Sequence, residues 1–179
     1  MRNLLNNDGS FILLGEQRYD SSETYSRGNS GLKTRSWLHY DNIMTTKINA
    51  DGSLAWMHKL PKRQKGLIGK GKGIMSYAHM FAGDNHYLMY LDNYNNLDDN
   101  GSPFLLRNGF GGFFTISIIN DKSGEVKKDV VFQVIDLNGV ALKDFQTNKI
   151  LPLSDSEILL EGLQGRKKGF LVKVTAKNK

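Results

Sequence analysis

The residues best placed to do chemistry begin at Gly66, in the run Gly66-Leu67-Ile68-Gly69-Lys70-Gly71-Lys72-Gly73. It falls one residue short of the phosphate-cradling pattern GxxxxGK[ST], with Gly73 where a Mg²⁺-binding hydroxyl belongs. Such a loop grips phosphate only between a strand and a helix, whose N-terminus supplies N–H groups and a positive dipole end. Here Ile74 to Phe81 reads as extended chain, so the run is expected to be a loop between structural units. Around it lie Lys62, Arg63, Lys65, Lys70 and Lys72, a set of bases that can bind an anion. Aromatics on which bases could stack are absent from this loop, and nucleic acid is not the expected partner.

Asn96, Asp98 and Asn100, followed by Gly101, place oxygens at alternate positions as the first half of a calcium loop does. The twelfth position is Arg107, where a bidentate glutamate should close the site, and Asx-turn chemistry accounts for the stretch without metal. His39, His58, His79 and His86 show no metal-ligand spacing, and the absence of cysteine excludes disulfides and thiolate chemistry. No GxSxG elbow occurs. Trp37, in a stretch with Tyr25 and Tyr40, reads either as a minor core contact or as an aromatic-lined place for a glycan or peptide. No catalytic residue and no cofactor are expected on this reading.

The elements that must position these residues are strands. Three short apolar stretches, Phe11 to Glu16, His86 to Asp92 and Glu157 to Gly162, are each followed by a second: Asn42 to Asn49, Phe113 to Asn120 and Gly169 to Thr175. In the first two copies a glycine turn, Ala50-Asp51-Gly52 or Asp121-Lys122-Ser123-Gly124, leads on into Ser53 to Leu60 or Glu125 to Phe132, as in hairpins. Trp56, just after the first turn, is expected to pack between units. The 19 glycines and many Asn-Asp clusters cut the chain into segments too short for stable helices. Arg18 to His39 and Asn93 to Gly112 read as long loops.

Strands and turns recurring in fixed order predict an all-β fold of antiparallel, β-propeller-like blades. At 179 residues the chain is expected to be a single domain. Three units, near 1–75, 76–145 and 146–179, would make an incomplete ring. The run from Asp41 to Gln64, DNIMTTKINADGSLAWMHKLPKRQ, followed by SYAHMFAGDNHYLMYLDNYNN, resembles the propeller-type repeats of uncharacterised Bacteroidota proteins. That resemblance implies a propeller-like fold and an envelope or secreted setting, and it brings no known activity.

Hydrophobic residues at 39% and charged residues at 23% fit a soluble, folded chain, and no apolar run reaches the length of a membrane span. The start, Met1 to Gly9, is polar and lacks the apolar stretch of a signal peptide, so no export address is expected in the chain. A net charge of +6 favours anionic partners mildly. The expected function is a non-catalytic binding or scaffold module. The alternative is a glycoside or ester hydrolase whose acids converge at a propeller channel. Uncovered blade faces and unpaired edges would favour self-association.

Overall fold

The computed structural model describes residues 2–6, 8–26, 28, 31–69, 75–96, 102–108, 111–134, 144–154, 156–164 and 168–175. These residues contain strands, turns and one short 3-10 turn, Tyr94–Asn96, and no α-helix. None of the described residues forms a helix long and apolar enough to cross a membrane.

The first sheet begins as an antiparallel meander of β1 (Arg2–Leu5), β2 (Phe11–Ser26), β3 (Leu32–Ile48) and β4 (Leu54–Leu60). Beyond β4, β5 (Gln64–Leu67) pairs with the outer part of β3, and the two-residue β8 (Leu106–Arg107) adds parallel to β5. The second sheet is the meander β6 (Tyr77–Ala82), β7 (Asn85–Asp92), β9 (Phe113–Asn120) and β10 (Val126–Gln133). The third holds β11 (Asp144–Ser154), β12 (Glu157–Gln164) and β13 (Lys168–Thr175). Among the described residues no sheet closes on itself.

The sheets stack face to face in chain order, which explains why β7 is apolar almost throughout. Its residues from His86 to Asp92 are all buried, as befits a strand covered on both faces. Leu88 and Tyr90 point one way, joining Ile119 of β9 against Ile12, Leu14, Ile43, Trp56 and Leu60 of the first sheet. Tyr87, Met89 and Leu91 point the other way, with Phe114, toward Ile158 and Leu160 of the third.

The stretches aligned by sequence fall on neighbouring, paired strands in each sheet: β2 with β3, β7 with β9, and β12 with β13. Both glycine turns form the expected hairpins. Gly124 is fixed by more than its φ of +71°, because a Cβ there would sit 2.7 Å from the Trp56 ring. Trp56 is itself buried between the first and second sheets.

One expectation is corrected. Arg18 to His39 is not a loop: β2 and β3 stay paired out to Ser26 and Leu32. The register shifts between Glu16 and Arg18, a bulge that separates an inner half in the core from an outer half. The outer half lacks apolar residues along β2, so cross-strand polar pairs hold it, among them Ser22 with Ser36 and Thr24 with Thr34. The second expected loop, 93–112, contains the 3-10 turn and β8 among its described residues.

Candidate functional site

Four polar groupings could carry function, and three of them face inward. Between the first and second sheets, Lys47 Nζ lies 2.6 Å from Asp121 Oδ2, His86 Nε2 lies 3.0 Å from Asp121 Oδ1, and His79 Nε2 lies 3.1 Å from His86 Nδ1. Trp56 Nε1 donates to the Asp121 carbonyl at 3.0 Å. Burial drives the His86 imidazole below its ordinary value despite the hydrogen bond to Asp121, so the ring is neutral at neutral pH. A neutral His86 donates from Nε2 to Asp121 and accepts from His79 at Nδ1. Burial alone would raise the Asp121 carboxyl, but hydrogen bonds from Lys47 and His86 outweigh it and hold the group ionised. Such a carboxylate is neither a proton donor nor a free base. It ties two sheets together.

The second grouping is built on Lys62, whose side chain is fully buried. Its Nζ lies 2.8 Å from Glu16 Oε1 and donates to the Tyr40 carbonyl at 2.7 Å. Burial lowers the Lys62 ammonium, with Glu16 opposing the shift. Ser76, held at φ +79°, donates from Oγ to Glu16 Oε2 at 2.6 Å and from its backbone N–H to Gln64 Oε1. A serine on a carboxylate has the outline of a nucleophile and its base. Glu16 is already engaged by Lys62, and the pair joins β2 to the start of β6.

The third grouping contains one of the residues expected to bind metal. Asn96 is buried, donating to Asp92 Oδ1 at 2.6 Å and exchanging hydrogen bonds with the backbone of Phe104. Lys128 Nζ reaches both Asp92 Oδ2 and the Asn96 carbonyl. Asn96 thus anchors a turn through its side chain, while Asp98 and Asn100 lie outside the described residues. Among the described residues no three histidine, aspartate or glutamate side chains gather as a metal site.

The fourth grouping faces outward. Strand alternation puts Tyr19, Ser21, Glu23 and Tyr25 of β2 on the same side as Lys33, Arg35, Trp37, His39 and Asp41 of β3, with Lys65 beside them on β5. Tyr19 stacks on His39 with centroids 4.3 Å apart, and its hydroxyl donates to Asp41 at 3.1 Å. The Arg35 guanidinium sits 4.3 Å above the Tyr25 ring, held by a bond to the Tyr25 hydroxyl, and Lys65 Nζ sits 4.6 Å above Trp37. Each ring carries its cation on a face. Burial, then the Lys65 charge, lowers the His39 imidazole.

The five bases read from sequence therefore divide. Lys62 points inward, Arg63 is exposed, Lys65 belongs to the outward face, and Lys70 and Lys72 lie outside the described residues. The aromatics that the basic loop lacks along the chain come from β2 and β3 across the sheet. Sequence named Trp37 and Tyr25 as a possible aromatic-lined place but passed over Tyr19 and Arg35, although the two-residue spacing of Tyr19 and Tyr25 on β2, and of Arg35, Trp37 and His39 on β3, marks one face of an extended strand. Comparison with protein-family models, curated proteins and solved structures finds no match to this chain.

Proposed function

We propose that this chain is a non-catalytic binding module of propeller-like architecture, an arc of stacked sheets, whose recognition face is the outer half of the β2–β3 hairpin with β5. The observation that carries this reading is the row of cations held over aromatic rings on that face. The inward groupings bond among themselves, whereas this row, with Glu23 and Asp41 beside it, is turned outward. Lys33 and Arg35 lie two residues apart on β3, about 7 Å, and Lys65 lies across from His39, four residues beyond Arg35, with its ammonium reaching back over Trp37. An extended chain bearing several carboxylates fits such a row, and guanidinium takes carboxylate in a bidentate fork.

An acidic polysaccharide is the ligand class favoured over two others. Stacking of sugar rings or nucleobases needs bare ring faces, and Tyr25 and Trp37 each have one face occupied by Arg35 or Lys65. Neutral glycans and single-stranded nucleic acid thus find fewer stacking faces here than an anion finds cations.

The test is equilibrium binding to polygalacturonate, with a neutral glucan and oligo-dT as competitors and an assay for new reducing ends. Polygalacturonate should bind without being cleaved. Combining Arg35→Ala with Lys65→Ala should weaken it by about tenfold or more, the worth of one charge-assisted contact of about 1.4 kcal/mol, while Lys122→Ala leaves it unchanged. Equal binding of the neutral glucan, preference for oligo-dT, or cleavage of the polymer would each refute the reading.

A further inference from the structure

We infer that the outer faces of the first and third sheets are two halves of one interface, through which two copies of this chain close head to tail into a dimer. The second sheet is covered on both sides, but each end sheet is covered on one. The outward side of the first sheet presents Leu5, Met44 and Met57, exposed by 80%, 39% and 57%. Leu13 lies in the same row, since Thr46 pairs with both Leu13 and Met57. The outward side of the third sheet presents Leu151, Leu153 and Leu171, exposed by 57%, 49% and 69%, with Leu159 opposite Leu151. Large aliphatic side chains clustered on one sheet face mark a surface that another surface covers.

A second copy is the occupant that fits both ends at once. Sheet-on-sheet stacking through apolar faces is how this chain already joins its first sheet to its second and its second to its third. The charges on the two end faces also complement each other. The first sheet's outward side carries Lys59, opposite Met44, next to the hairpin face with its three cations against Glu23 and Asp41, and the third's described side chains include Glu157, Glu161 and Lys173, a net of one negative charge. Area then favours closure. A face of three or four strands and about six residues covers roughly 350 Å² in plan, so one joint buries roughly 700 Å² over both copies. That is too little for a stable complex, whereas the two joints of a closed pair reach roughly 1,400 Å², within the usual range. The contact is heterologous, and only closure stops it from propagating.

The test uses the whole chain and does not involve the ligand face. Light scattering across concentration should give about twice the 20.1 kDa of one chain. Met57→Lys and Leu171→Glu, each at an exposed position, should each return the mass to that of one chain with the melting temperature of the diluted monomer retained. Mixed in equal amounts, the two variants keep one intact joint and should pair more tightly than either alone. A single-chain mass at every concentration overturns the proposal. So does a dimer that survives either variant, a mixture no tighter than its components, or a mass that climbs past two chains.

Discussion

The two joints between sheets are built differently. The first-to-second joint surrounds its apolar contacts with fixed polar ties: Lys47 to Asp121, His86 to Asp121, and Trp56 to the Asp121 backbone. The second-to-third joint packs Met80, Tyr87, Met89 and Ile116 against Ile158 and Val174 around a cavity of about 290 Å³. Hydrogen bonds have directions and lengths, so the first joint admits one register. An apolar joint with space in it tolerates small slides, since dispersion contacts change gradually with position. The first joint is therefore the rigid one, and it carries the hairpin with the candidate ligand face.

The largest effect should come from cutting the first joint at its centre. Asp121→Ala leaves Lys47 and His86 without their carboxylate and should cost about 3 kcal/mol or more in urea unfolding. Next come matched core truncations. Leu14→Ala, in the tied joint, should cost about 4 kcal/mol, and Ile158→Ala, which already borders the cavity, about 2 kcal/mol. Equal losses at these two fully buried positions would remove the contrast. Filling the cavity with Val174→Ile should gain up to about 1 kcal/mol, read as a higher midpoint at unchanged slope.

The smallest effect is one of pH. His86 and His39 both titrate below 6.5 in the fold, chiefly through burial, so the unfolded chain takes up protons first as pH falls through that value. Stability is full above pH 6.5 and declines toward pH 5. The Asp121 contribution is lost only below 3.8, its ordinary value. The melting temperature should therefore fall between pH 7 and 5, and less steeply in His86→Gln.

Much of the architecture was legible because apolar residues report burial directly. HYLMYLD, short, apolar and bounded by turn residues, reads as a strand, and the Asp-Gly and Ser-Gly turns mark two hairpins. The outer half of β2, RYDSSETYS, was read as a loop because none of its residues except tyrosine resembles a buried strand. Its pairing rests on hydroxyl and cation–ring contacts with β3, which exist only once the register is set. Lys62 misled for a related reason. A lysine in a basic run is nearly always solvated, and its burial depends on Glu16, which lies 46 positions earlier in the chain.

Amide hydrogen exchange with and without polygalacturonate shows directly whether the hairpin face is where ligand sits. Binding should slow exchange in residues 19–25, 33–41 and 63–67 and leave β12 and β13 unchanged. Protection confined to the sheet-to-sheet joints, or no protection at ligand concentrations that saturate binding, would contradict it.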